Sequence, residues 1–276
     1  MPPLSLESSV QLNNGFMMPL LGLGVYQMRS GKETYEAVRT ALDVGYRLFD
    51  TASFYRNEED VGRAIRDSSV PREEVFVTTK LWNDDHGYDA AFKAFDASFK
   101  KLDLGYIDLY LIHFPVPQVR NETWRALERI LCTGKVRAIG VSNYLERHLK
   151  DLLSQSTIIP AVNQIEFSPF LYQRNLLDFC RKHRIQLEAY APLTAGERLN
   201  DPRITSIANK HGCTNAQVLL RWAIEHEVVV IPKSSRKERI LENAQLFDFD
   251  LTDEDMAKLD SLYDGFRSSW DPTGVP

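Results

Sequence analysis

The chain has 276 residues, 43% of them hydrophobic and 26% charged, with a formal net charge of −5; α/β barrels of about 250 residues fold as one unit, so this length does not force a division. The acidic balance leaves no basic stripe to neutralise a nucleic-acid backbone, and no apolar run approaches the ~20 residues of a membrane-spanning helix. Three widely spaced cysteines (Cys132, Cys180, Cys213) without a CxxC pair, and an N-terminus without a signal-peptide pattern, point to a reducing compartment, the cytoplasm.

In chain order, Val10–Leu12 and Phe16–Met18 flank Asn13-Asn14-Gly15, which predicts a hairpin, because Asn-Gly tolerates the positive φ of a tight turn. It is placed to cap whatever follows. Leu20–Tyr26 is the first strand, and Tyr35, Val38, Ala41 and Leu42 then share a helical face that Gly45 ends. The second strand ends at Asp50. A helix from Glu58 to Ser68, a strand to Lys80, a helix from Asp89 to Leu102 and a strand to His113 continue the alternation. Trp124, Leu127, Ile130 and Leu131 mark the next helix, ended by Gly134, and Val136–Ser142 forms the fifth strand. The sixth ends near Gln164–Glu166, the seventh is Gln186–Tyr190, closed by Pro192, and the eighth is Val228–Pro232. A helix at Glu254–Leu262 and an irregular tail containing Trp270 follow, free to cross one barrel mouth. About eight strand–helix units predict a single-domain (β/α)8 barrel over 1–276, with an N-terminal β-hairpin and an extra C-terminal helix and tail.

Barrels carry their reactive groups at the carboxyl ends of the strands. Asp50, Lys80 and His113 end three consecutive strands, and Tyr55 follows Asp50 in the loop. A tyrosine ordinarily titrates near about 10, and an adjacent lysine ammonium is expected to lower that value, with Asp50 holding the lysine in place. His113 can donate a hydrogen bond beside Tyr55. The set suits a carbonyl that becomes an alkoxide and takes a proton. Taken singly, each residue has a plainer reading: a structural ion pair for Asp50 and Lys80, a satisfied polar side chain for His113.

The flanking words decide between these readings. Phe49-Asp50-Thr51-Ala52 with Tyr55 and Asn57-Glu58, Thr78-Thr79-Lys80-Leu81-Trp82, Leu111-Ile112-His113, Gly134 through Asn143, Val162-Asn163-Gln164-Ile165-Glu166 and Ile231-Pro232-Lys233-Ser234 together resemble the aldo-keto reductases over nearly the whole chain. The resemblance implies Tyr55 as proton donor, Lys80 and Asp50 as its tuning pair, His113 as the residue that orients the carbonyl, and a nicotinamide as hydride source. Gly22-Leu23-Gly24 runs into Val25-Tyr26-Gln27, so there is no GxGxxG fingerprint; the family binds its cofactor on the barrel mouth. By resemblance Ser142, Asn143 and Gln164 hold the carboxamide, and Tyr190 stacks on the ring. Gly24, Val25, Asp50, Leu193 and Ile231 contribute further cofactor contacts, and Glu242 and Asn243 grip the adenine. Lys233, Ser234, Ser235 and Arg239 match the surroundings of the 2′-phosphate, which implies NADPH over NADH, because cations bind a phosphate as they cannot bind a hydroxyl. Without the resemblance, Lys233–Arg239 reads as a solvated charge run.

A small carbonyl substrate is expected among Tyr26, Phe54, Trp82, His113, Phe114 and Trp270. Tyr26 and Phe114 stand where the family often has tryptophan, and Ser168 where histidine is common. The segment Phe114–Glu122 is shorter than in aldose-reductase-like members, as in prokaryotic, protozoan and plant reductases, and implies a more open site. No metal is expected, since the six histidines show neither HxH nor HExxH spacing, and no apolar helix face asks for a partner, so a monomer is expected. A non-catalytic nucleotide-binding relative is the competing reading; retention of all four catalytic residues weighs against it.

Overall fold

The computed structural model describes residues 3–276. Strands β1 (Ser9–Gln11) and β2 (Met17–Pro19) form the antiparallel hairpin, with Ser9 opposite Pro19 and Gly15 at φ 90° in the turn. Its loop asparagines hold it against the amino-terminal end of the barrel: Asn13 Nδ2 donates to the Pro160 carbonyl at 3.0 Å and Asn14 Nδ2 to that of Arg137 at 3.0 Å. Leu12 and Met18 are buried beneath. The hairpin is the expected cap.

Eight parallel strands follow: β3 (Leu23–Gly24), β4 (Leu48–Asp50), β5 (Phe76–Leu81), β6 (Ile107–Ile112), β7 (Val136–Ser142), β8 (Val162–Glu166), β9 (Gln186–Tyr190) and β10 (Val229–Val230). They pair in sequence order, and bridges from Leu21 to Val230 and Gly24 to Lys233 join last to first, closing a (β/α)8 barrel. Every residue of β5 and β6 is buried, the signature of parallel strands covered on both faces. β3 and β10 pair over only two residues each, shorter than the apolar runs containing them, because the closing seam is made of single bridges.

Ten helices complete the fold: α1 (Lys32–Val44), α2 (Glu58–Arg66), α3 (Tyr88–Leu102), α4 (Arg120–Leu131), α5 (Glu146–Gln155), α6 (Arg174–Lys182), α7 (Pro202–His211), α8 (Asn215–Glu225), α9 (Lys237–Ala244) and α10 (Asp253–Asp260), counted among the described residues. α1 buries Thr34, Ala37, Val38, Ala41 and Leu42, one face of a 3.6-residue repeat, and stops at Gly45 in the left-handed conformation. In α2, Gly62 allows close approach to α3, since a Cβ there would overlap the Leu102 carbonyl. Asp201 caps α7 ahead of Pro202, and Thr214 with Gln217 forms a capping box on α8.

The C-terminal tail crosses the barrel mouth, as expected. Ser268 donates through both its backbone N–H and its hydroxyl to Glu166 Oε1, at 2.6 and 2.7 Å. Further on, Arg147 Nη2 donates to the carbonyls of Pro272 and Thr273, and His148 Nε2 lies 3.0 Å from that of Val275. Trp270 lies between these anchors.

Candidate active site

β4 ends in Asp50, and the chain turns at once through a short 3-10 segment, Ser53–Tyr55. That turn is braced from three sides. Ser53 Oγ donates to the Lys80 carbonyl at 3.0 Å, Thr51 Oγ1 donates to Asn57 Oδ1 at 2.8 Å, and Asn57 Nδ2 donates to the Val25 carbonyl at 3.0 Å. Tyr55 is thereby aimed across the mouth toward Lys80 of β5 and His113 at the end of β6.

Lys80 is fully buried. Its Nζ donates to Asp50 Oδ1 at 2.6 Å, to the Thr51 carbonyl at 2.9 Å and to the Tyr55 hydroxyl at 3.4 Å, so the three donors of an ammonium all have targets. The Tyr55 hydroxyl also lies 3.5 Å from His113 Nε2. Asp50 Oδ2 accepts from Gln164 Nε2 at 2.7 Å. Sealing such a pair from water costs on the order of several kcal/mol per ion, so a barrel filled by aliphatic side chains would serve stability better.

Burial pushes the Tyr55 phenol well above its ordinary value, and the nearby Asp50 charge adds to the shift. This reverses the expectation that the lysine lowers it. Burial and the neighbouring carboxylate outweigh an ammonium at 3.4 Å. Burial likewise pushes His113 well below the usual imidazole range, helped by the Lys80 charge; the ring is neutral. Burial drives Asp50 upward, against the pull of Lys80 and Gln164.

These groups stand at one end of a cavity of about 770 Å³. Tyr26, Tyr55, His113 and Trp270 line that end, and Gly24, Asp50, Ser142, Asn143, Gln164 and Tyr190 continue the wall. Ser142 Oγ donates to the Gln164 carbonyl at 2.9 Å, Asn143 Nδ2 to the His113 carbonyl at 3.0 Å, and the Tyr190 hydroxyl to Asn143 Oδ1 at 2.7 Å. Leu193 and Ile231 lead to the far end, formed by Lys233, Ser234, Ser235 and Arg239 with Glu242 and Asn243 of α9. Neither Lys233 nor Arg239 forms an ion pair among the described residues.

Four of the sequence-derived residues stand elsewhere. Val25 is wholly buried behind the wall, serving Asn57 through its carbonyl, and Phe114 does not line the cavity. Phe54 and Trp82 build an outer rim instead: their rings stack at 3.8 Å, and Trp82 approaches Trp270 at 5.5 Å and His113 at 5.1 Å. Trp270 in turn meets Tyr26 at 5.9 Å. Sequence reasoning passed over Arg236, Ser268 and Ser269, which line the cavity, and Glu188 behind it. Arg236 sits inside the basic run already noticed; the two serines carry no signal beyond their place beside Trp270. No cluster of three or more His, Cys, Asp or Glu placed to hold a metal ion is found among the described residues.

Comparison with known proteins bears on the family and the fold. Glyoxal reductase of Bacillus subtilis is 50% identical over 260 residues, covering 94% of this chain and 94% of its own. The crystal structure of MGS-M4, an aldo-keto reductase enzyme from a Medee basin deep-sea metagenome library, superposes with a TM-score of 0.94 at 47% identity, covering 98% of this chain and all of the other. A Bombyx mori aldo-keto reductase solved in complex with NADP gives a TM-score of 0.88 at 39% identity, covering 95% of this chain and 94% of its own. The Aldo/keto reductase family profile matches residues 20–264, and the chain belongs to that family.

Proposed function

We propose that the protein reduces small aldehydes and ketones, dicarbonyls included, to alcohols, using NADPH, with Tyr55 as proton donor. The observation that carries this reading is the Tyr55 hydroxyl on the cavity wall, 3.4 Å from Lys80 Nζ and 3.5 Å from His113 Nε2, with Asp50 behind the lysine.

The cavity suits the cofactor. Lys233, Arg236 and Arg239 at its far end are cations without carboxylate partners among the described residues, and they adjoin the start of α9, where exposed N–H groups also favour an anion. A 2′-phosphate belongs there. Tyr190 offers a ring face near the catalytic end, and Ser142, Asn143 and Gln164 offer polar atoms for the carboxamide. When bound, the reduced nicotinamide supplies a hydride to the carbonyl carbon.

The chain's own residues do the rest. Tyr55 donates a hydrogen bond to the carbonyl oxygen and then transfers its proton to that oxygen as negative charge develops there. Its raised pKa keeps the phenol protonated through neutral pH, and Lys80 stabilises the phenolate left at the moment of transfer before solvent restores the proton. His113, neutral and protonated at Nε2, donates to the same oxygen and fixes its direction. Trp270, Trp82 and Phe54 shield the site from water.

A dicarbonyl is the preferred class because the Bacillus relative is named for reducing glyoxal, and because a neutral, aromatic-walled pocket accepts a compact carbonyl without charge. The reading extends to a cytoplasmic monomer, supported by the three unpaired cysteines and by large exposed apolar side chains that are scattered along the chain. The test is loss of NADPH absorbance with a panel of aldehydes and dicarbonyls; tight NADPH binding without turnover on any of them would favour a regulatory subunit.

A further inference from the structure

Behind Gln164 lies a second carboxylate that the reduction scheme does not use. Glu188, on β9, is fully buried, with Gln164 of β8 beside it in register on one side and Val229 of β10 on the other. Gln164 Nε2 is 2.7 Å from Glu188 Oε2 and 2.7 Å from Asp50 Oδ2. A carboxamide nitrogen carries two hydrogens, so each carboxyl group receives one. Two bonds at one nitrogen fix both the direction and the plane of the amide. A flip would set the amide oxygen against the Asp50 carboxylate, 2.7 Å away. What remains is Oε1, a pure acceptor with no partner among the described residues, on a side chain that lines the cavity.

We propose that Glu188 is a positioning residue for the cofactor: through Gln164 it holds a fixed acceptor for the carboxamide NH₂ of the nicotinamide. The inference rests on the NADPH reading of the cavity. Barrel interiors are filled mainly by Val, Ile and Leu, and a buried carboxyl group at such a position is costly unless its bond serves something. Glu188 gains little for itself, since Oε1 is buried and unpartnered. The charged or titratable groups facing it are Asp50 of β4, Lys80 of β5 and Tyr55 after β4, while β8 and β10 present only Gln164 and Val229. Lys80 is already engaged by Asp50, so Glu188 has no cation of its own. Burial and the Asp50 charge push its carboxyl up to about 8, which leaves it a neutral acid near neutral pH. Glu188→Gln reproduces that shape; Glu188→Leu keeps the volume but removes the acceptor.

The experiment measures affinity for two ligands by calorimetry: NADPH, and 2′,5′-ADP, which carries the adenosine 2′-phosphate but no nicotinamide. Glu188→Leu should weaken NADPH about tenfold, the scale of one hydrogen bond to a buried group, and leave 2′,5′-ADP within about twofold of wild type. Glu188→Gln should restore NADPH to within about threefold. Combined with Gln164→Leu, Glu188→Leu should add nothing further. Equal losses for both ligands, or no loss for NADPH, would overturn the inference. Failure of the wild type to bind NADPH more tightly than 2′,5′-ADP would instead overturn the cofactor reading on which it rests.

Discussion

The phenol proposed as proton donor is held in this barrel where giving up a proton is hardest. Desolvation and the neighbouring carboxylate make Tyr55 a weak acid at rest, which serves a donor that should act only on an oxygen becoming an alkoxide, itself far more basic. In the proposed transfer the lysine matters as negative charge arrives on the phenol oxygen 3.4 Å away. At Glu188, burial and the Asp50 charge push the carboxyl up to about 8. Its folded pKa of about 8 lies above the ordinary 4.5, so the stabilisation associated with its neutral form is complete below about pH 4.5 and lost as pH rises through 8. Glu188→Gln cannot ionise, so its urea midpoint relative to wild type should shift in the variant's favour from about pH 5 to pH 9. A constant difference across that range would show that Glu188 does not titrate there. Glu188 was not legible in the sequence because Gln186-Leu187-Glu188-Ala189-Tyr190 alternates like a half-exposed strand, whereas the barrel covers both of its faces. Nor was the direction of the Tyr55 shift, which depends on depth and on Asp50, a neighbour held in place by the turn and not by chain order.

At the scale of elements, most of the site is assembled by strand ends. Asp50, Lys80 and His113 were legible because each closes an apolar run, and the eightfold alternation placed those ends on one mouth. The strand lengths at the seam were not, because β3 and β10 meet through isolated bridges that leave no pattern in the residues. The segment after β10 is the proposed seat of the cofactor's phosphate, and Arg236 and Arg239 both line the cavity there. Arg239→Ala, and equally Arg236→Ala, should weaken NADPH by about tenfold and NADH by less than about twofold, the loss of one charge-assisted bond. Parallel titrations with both nucleotides check this, and equal losses would place the phosphate elsewhere. The tail forms part of the proposed site. Ser268 is tied to Glu166 so that Trp270 lies against Tyr26, Trp82 and His113. Trp270→Ala should raise KM for bulky aldehydes several-fold while leaving the dissociation constant of NADPH within about twofold, since one buried aromatic contact is worth about 0.5–1.5 kcal/mol. An unchanged ranking of bulky and compact aldehydes would show that the tail does not meet the substrate. Its position over the mouth could be anticipated from its place after the last barrel unit, but the Glu166 anchor could not, since the two residues are 102 apart in sequence.

For the whole molecule, the division of labour follows the barrel axis. The amino-terminal end is closed by the hairpin and fixed by Asn13 and Asn14. The carboxyl end carries the cavity, with the proposed catalytic groups at one end and, at the other, cations without ion-pair partners among the described residues. The net charge of −5 is therefore a poor guide to the ligand: a polyanion is attracted by the local field of Lys233, Arg236 and Arg239 and not by the average. The central claim is that Tyr55 gives the proton, and the most direct test is steady-state NADPH oxidation with glyoxal by wild type and Tyr55→Phe, alongside NADPH binding. Turnover by the wild type should fall by about 10²–10⁴ in the variant, the usual scale for a general acid, with cofactor affinity unchanged. A variant that kept most of its turnover would contradict the account.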